Sequence, residues 1–406
     1  MAALTHELYA SKKTMTCRDS IEKIMTVGMP ALRSRRSFPW TLGLGLGVSV
    51  WLGCSPEPAI DEDAVWDALP ATVRDPAKWP FSADSPWNTP IACAATAPFS
   101  CVVTWEAAGG ACSQQLRYLS TTGAELRAAI NAEEWSHPVY IAKSTDPLSS
   151  LNQQTCFGAP ALTIPNVRIP ATAKAALPAF LGSAACDYGN TDAHLHIIDP
   201  KHQYVDESWH ARPRASGGFD VFGYTRNSLT DSGIGKGGER AYGGSAIAGL
   251  IRKGELSSGI RHALALAIPH SQMKCIVSGS TPSDSCDPVW PASKVDDSAR
   301  SRYKGAIPMG QLVSIPVDVD LSSLGLTASG LRLAQALQDY GAYVVDGSDD
   351  FVLYAEPSVS TELVGARKDV AAIRALLRCV TNNSATRVGG GDATAPRRQP
   401  PALPFR

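Results

Sequence analysis

The sequence predicts a mainly β fold with helical insertions, an α+β single domain of β-sandwich or jelly-roll type. Three observations carry that prediction. Short β-prone runs at 138–142, 160–164, 193–198, 203–210, 262–268, 311–319 and 342–346 are set apart by turn residues nearly throughout. The chain holds 34 Gly and 29 Pro, enough to supply those turns. Only three segments carry helical signals. Thr122 and Glu125 form a capping-box pattern that predicts a helix to about Trp135. Residues 328–340 are helical in period and stop at Gly341, a natural residue just past a helix end. Val370, Ile373, Leu377 and Val380 mark one face of a terminal helix.

Ahead of the folded part, Arg33, Arg35 and Arg36 precede a weakly apolar run from Trp40 to Gly53. As a helix of about 21 Å the run is too short to cross a ~30 Å hydrocarbon core. A basic block followed by such a run is the order of an export signal, assigned here to residues 1–53. Leu52-Gly53-Cys54 resembles the lipobox of bacterial lipoproteins, which implies a lipidated Cys54 as the mature N-terminus. Ser34-Arg35-Arg36-Ser37-Phe38 is similar to the twin-arginine export motif, with ordinary secretion the open alternative. The implied location is the bacterial cell envelope, at the outer membrane or cell surface, with membrane contact only through the lipid. Residues 54–80 then read as a Pro- and acid-rich tether, 81–385 as a single globular domain and 386–406 as a disordered Gly/Pro/Arg tail.

Without residues 1–53 the chain keeps 30 Lys and Arg against 35 Asp and Glu, a net charge of −5. That balance lacks the basic footprint of a nucleic-acid binder. Apolar residues make up 44% of the chain, ample for a core. Eight cysteines remain besides Cys17 and Cys54: Cys93, Cys101, Cys112, Cys156, Cys186, Cys275, Cys286 and Cys379. An even number in an exported chain reads as disulfides. Cys275 and Cys286, bracketing a Ser/Thr/Pro/Asp-rich loop, are the expected local pair.

The densest chemistry lies at 192–210, DAHLHIIDPKHQYVDESWH, with Asp199-Pro200-Lys201-His202 as a turn between two strands. Alternation puts His194, His196 and Ile198 on one face of the first strand. A two- or four-residue loop brings Val205, Glu207 and Trp209 to that face, whereas a three-residue loop brings Tyr204, Asp206, Ser208 and His210. The first register is expected because it sets Ile198 beside Val205. Two imidazoles beside a carboxylate suit acid/base chemistry. No metal and no cofactor is expected, since the spacing from His196 to Glu207 departs from the cupin pattern and finger-type Cys/His spacing is absent. A polar outer face of an edge hairpin would also carry such residues. Glu255 lies before a Gly-containing turn and His262 opens an apolar strand, while Asp346 sits in Asp-Gly-Ser after a strand.

These segments, with Pro291-Ala292 and Pro308-Met309-Gly310 between them, resemble a group of exported bacterial proteins over about residues 190–350. The matching positions are Asp199 to Glu207, Glu255 with His262-Ala263-Leu264, and Ala336-Leu337, Tyr340-Gly341 and Asp346. The resemblance implies an extracellular, glycan-directed protein. The resulting expectation is a membrane-anchored lipoprotein acting on a polysaccharide as a glycoside hydrolase or lyase. Glu207, Glu255, Asp346, His194, His196 and His262 are its expected catalytic groups, lining one cleft. Trp209, Trp290, Tyr340 and Tyr343 are the expected sugar platforms. A non-catalytic carbohydrate-binding or envelope-structural lipoprotein is the alternative. G-x-S-x-G and H-E-x-x-H are absent, which leaves serine-hydrolase and zincin readings without a motif.

Overall fold

Alternating and fully apolar runs build three sheets. Their strands, in a computed structural model describing residues 71–406 except 120, 157–158, 180–190 and 236, are as follows. They are β1 (Ala128–Asn131), β2 (Val139–Ile141), β3 (Leu148–Gln153), β4 (Leu162–Arg168), β5 (Leu195–Ile198), β6 (Tyr204–Trp209) and β7 (Arg212–Pro213). After them come β8 (Phe219–Val221), β9 (Gly223–Ser228), β10 (Leu264–Pro269), β11 (Leu312–Ser314), β12 (Ala342–Ser348), β13 (Phe351–Tyr354) and β14 (Arg378–Cys379). The six-stranded sheet runs β1-β13-β10-β12-β11-β14, and the two four-stranded sheets run β2-β5-β6-β9 and β4-β3-β8-β7. The mainly β, α+β character expected from the sequence is the one observed. Each of the seven β-prone runs contains or overlaps a strand.

The two four-stranded sheets share a core, in which Leu195 and Ile197 of β5 meet Leu151, Ile164, Val167, Phe219 and Val221. The other face of β5 and β6 sends Ile198 and Val205 into the large core of the six-stranded sheet. Every residue of β10 is buried, as a continuous apolar run requires when both faces are covered. β10 lies parallel to β12 and antiparallel to β13, and β2 lies parallel to β5.

Helix α1 (Ala328–Asp339) starts where the Thr327 hydroxyl accepts from the Gly330 N–H at 3.1 Å. It stops ahead of Gly341, whose φ of +78° and 2.5 Å clearance between a built Cβ and the Val313 carbonyl exclude a side chain. Helix α2 (Val364–Arg374) anchors α1 through Asp369, which accepts from the Thr327 N–H (2.8 Å) and hydroxyl (2.6 Å). Val370 and Ile373 are its buried face, while Leu377 and Val380 are buried beyond its end.

The helix expected from Thr122 does not form. Ala128–Asn131 instead forms β1, paired in parallel with β13, and Glu125 is drawn to Arg374 (2.7 Å) rather than back to a helix start. The capping-box signal loses to long-range strand pairing. Residues 71–80 and 386–406, expected as tether end and disordered tail, are instead packed on the domain. The Arg74 amide donates to the Pro404 carbonyl (3.0 Å), and its guanidinium lies 4.0 Å from the Phe405 ring centroid. Arg397 donates to the Pro90 and Val388 carbonyls, and Arg398 pairs with Asp339 at 2.9 Å. Guanidinium groups satisfy backbone carbonyls here, so the segment is held with little apolar burial of its own.

Cys275 and Cys286 are disulfide-bonded as expected, with Cα atoms 5.1 Å apart. Cys93–Cys101 and Cys112–Cys379 are bridged too. The second spans 267 residues, a closure that restricts the unfolded chain by about 5.6 kcal/mol in the loop-entropy model. Cys54 and the expected signal lie outside the described residues. Among the described residues no helix is long and apolar enough to cross a membrane.

Candidate active site

The parallel pairing of β10 and β12 brings two chain segments to one cleft. β12 carries Asp346 at its C-terminal end, beside a register shift opposite Leu266 and Ala267. β10 ends at Pro269 and turns directly into His270. The ring of His270 lies against Gly347, where an added Cβ would come 2.1 Å from Nε2. Only glycine allows that approach. Asp296, from the loop after Pro291-Ala292, meets His270 Nε2 at 3.0 Å and accepts from the Tyr303 hydroxyl at 3.2 Å. Arg302 donates to His270 Nδ1 at 2.8 Å, so Nδ1 accepts and Nε2 carries the hydrogen given to Asp296.

Asp346, Gly347, His270, Asp296 and Arg302 line a cavity of about 430 Å³ together with Asp192, His194, Trp209, Glu239, Arg240, Lys294 and Tyr354. Asp346 is half-buried and accepts from the Gly347 N–H at 2.9 Å. Burial, then the charges of Asp296 and Asp192, hold its carboxyl well above the ordinary range, while Arg240 opposes them. Asp346 is thus a carboxyl of the cleft whose surroundings favour the protonated form. Trp209 forms part of the wall and donates its indole N–H to Asp192 at 3.2 Å. Arg240 is 1% exposed, lies 4.2 Å from the Tyr354 ring centroid, and none of its guanidinium nitrogens has a hydrogen-bond partner.

Behind this wall sits a group of three buried imidazoles. β2 pairs Val139 with His196, and the residues leading into those strands bring His137 to His194. The ring centroids are 4.2 Å apart for His137–His194, 5.2 Å for His137–His196 and 5.7 Å for His194–His196. His137 Nδ1 and His196 Nε2 share a hydrogen bond of 3.0 Å. Burial, with the charges of His194 and Arg240, pushes His137 and His196 well below the ordinary histidine range. Burial lowers His194 to about 4, against the attraction of Asp192.

The hairpin has the register expected from sequence. Ile198 pairs with Val205 and His196 with Glu207, and the Asp199 amide closes a four-residue turn on the Tyr204 carbonyl. Glu207 nevertheless does not line the cleft. It is 0% exposed and accepts from the Ser245 hydroxyl and from the Ala246 N–H (2.8 Å). Burial pushes its carboxyl up to about 7 against those two hydrogen bonds. Glu255 and His262 pair with each other at 3.1 Å, and Glu255 also accepts from the Arg252 N–H. Glu255 lines a different cavity, with Arg252 and Glu356. The expectation that Glu207, Glu255 and Asp346 share one cleft is therefore corrected. Local pattern gives the face of a strand but not which layer that face meets.

His194 and Trp209 do join Asp346, and His196 lies behind them. Tyr340 and Tyr343 are core residues, 4% and 1% exposed, rather than sugar platforms. Tyr343 packs edge-on to Trp87, and half-buried Trp290 packs edge-on to Tyr343, away from the cleft lining. Sequence reasoning missed His137, Arg240, His270, Asp296, Arg302 and Tyr354. His137 carried a usable signal, standing directly before the 138–142 strand. No known family model, curated protein or solved structure matches the chain.

Proposed function

We propose that this protein is an exported, lipid-anchored enzyme that cleaves an extracellular or envelope polysaccharide in the Asp346 cleft. The observation that carries the reading is one cleft in which the surroundings of Asp346 favour its protonated form while Asp296 is fixed by His270 and Tyr303. Glycoside cleavage needs that asymmetry: one carboxylic acid to protonate the leaving oxygen and one carboxylate to act as base or nucleophile. In this assignment Asp346 donates its proton to the glycosidic oxygen. Arg240, charged and close enough to pull down the Asp346 carboxyl, stabilises the carboxylate that proton transfer leaves. Asp296 supplies the base or nucleophile, oriented by its two donors. Trp209 gives a sugar ring an apolar surface at the wall, and the anchor at Cys54 would place the cleft at the cell envelope.

Elimination at an acidic sugar is the second reading. Arg240 and Tyr354 in the same wall favour it, as a cation beside a phenol suits abstraction of a proton next to a carboxylate. A panel of neutral and acidic polysaccharides, scored for new reducing ends and for the ultraviolet absorbance of unsaturated uronates, distinguishes the two. Reducing ends alone identify hydrolysis, and both signals together identify elimination. Binding without either product overturns the enzyme reading in favour of a carbohydrate-binding lipoprotein.

A further inference from the structure

We propose that His137, His194 and His196 form a binding site for a divalent transition metal, with zinc as the reference ion. The three side chains are 1%, 4% and 0% exposed, and they converge from two strands paired in parallel. One ring nitrogen from each can be chosen so that all three lie within 4.8 Å of one another. Nitrogens bound to one tetrahedral zinc at ~2.0–2.1 Å stand roughly 3.3 Å apart, with ring centroids about 5 Å apart. The observed centroid separations of 4.2, 5.2 and 5.7 Å bracket that value. Rotation of the near-parallel rings, 14–29° apart in plane, brings the chosen nitrogens from within 4.8 Å to that spacing and completes the site.

A second observation points to a ligand independently of this convergence. Nδ1 of His194, a residue that also lines the cleft, is buried without a partner. Buried polar atoms are rarely left so, and an ion is one of the standard reasons for the exception. Three imidazoles stacked away from water are a costly way to fill space that leucine would fill better. A metal accounts for their gathering, because it replaces absent hydrogen bonds with coordination.

The donor set selects the ion. Imidazole nitrogens suit zinc, copper, nickel and iron, whereas calcium and magnesium take oxygen ligands. Three histidines with a fourth position free is the arrangement of catalytic rather than structural zinc sites. Access runs through the cleft, since His194 is part of its lining. Asp192, beside His194, adds attraction for a cation, and Arg240 opposes it. To present two lone pairs, whichever of His137 and His196 now donates must carry its hydrogen on the other ring nitrogen. That is a tautomer change with no net proton released.

The test is equilibrium dialysis of the full chain against zinc, with metal analysis, for the native protein and for His137→Gln, His196→Gln and His262→Gln. The native protein and His262→Gln are expected to retain one zinc per chain, and the other two to retain almost none. Cobalt substitution of the native protein adds a readout that needs no variant to fold. An intense visible spectrum of four-coordinate cobalt supports the site, and the pale spectrum of hydrated cobalt overturns it. Native protein that holds no zinc, or folded His137→Gln and His196→Gln variants that hold as much as native, likewise overturns it. None of these readouts depends on polysaccharide cleavage, so the site stands or falls apart from the enzyme reading.

Discussion

Replacing Glu207 by glutamine separates a structural carboxyl from a catalytic one. In the folded chain burial raises Glu207 from 4.5 to about 7, despite the Ser245 hydroxyl and the Ala246 N–H that hold its oxygens. A shift of that size corresponds to about 3 kcal/mol between the two protonation states. The folded protein binds this proton more tightly than the unfolded chain. Its contribution to stability is therefore complete below about pH 4.5 and is lost as pH rises through about 7. Glutamine is neutral throughout, and its carbonyl can still accept from Ala246 while its amide donates to Ser245. Glu207→Gln should thus cost little at low pH and gain on the native protein by up to about 3 kcal/mol near pH 8. Urea denaturation of both proteins across that range, in buffer with a chelator, reads the difference directly. Parallel stability curves would refute the buried-carboxyl argument. Turnover on a cleaved polysaccharide should persist in Glu207→Gln, and its loss in a folded variant would return Glu207 to the chemistry.

Two further perturbations probe other parts of the molecule. Burial alone would lower His262, but the charge and hydrogen bond of Glu255, with the Ala263 carbonyl, together raise it, so the pair stabilises the fold fully below about pH 6.5 and progressively less as pH rises through the folded value. Glu255→Gln should cost roughly 3 kcal/mol near pH 5.5 and clearly less near pH 8 by chemical denaturation, and an equal loss at both would show the pair to be uncharged. Gly347→Ala places a methyl where His270 Nε2 now lies, 2.1 Å from the built Cβ, and displaces the ring from Asp296. Turnover should fall by roughly a hundredfold with the circular dichroism unchanged, and undiminished turnover would remove His270 from the site.

What the sequence disclosed was local. Alternation placed His194 and His196 on one face, and pairing of Ile198 with Val205 fixed the hairpin register around Glu207. Periodicity with a threonine cap and a glycine stop located α1, which leads through Tyr340 and Gly341 into the strand that delivers Asp346. What it could not disclose was depth and long-range pairing. Parallel partners such as β2 with β5, or β10 with β12, leave no mark in either strand alone, yet they bring His137 to His194 and His270 to Gly347. For the same reason Asp346 was placed with Glu207 and Glu255, whereas its neighbours by charge are Asp296 and Asp192. Tyr340 and Tyr343 show the complementary error, since an aromatic beside a turn reads alike whether it faces a sugar or a core.

The central claim is that Asp346 acts as the acid of a polysaccharide-cleaving site. The most direct measurement compares product formation by the native chain with that of Asp346→Asn on the polysaccharide the native chain cleaves. Asparagine keeps the shape and removes the proton donor, so binding should persist while turnover drops by about 10²–10⁴-fold. Asp346→Asn that cleaves as fast as the native chain would contradict the claim.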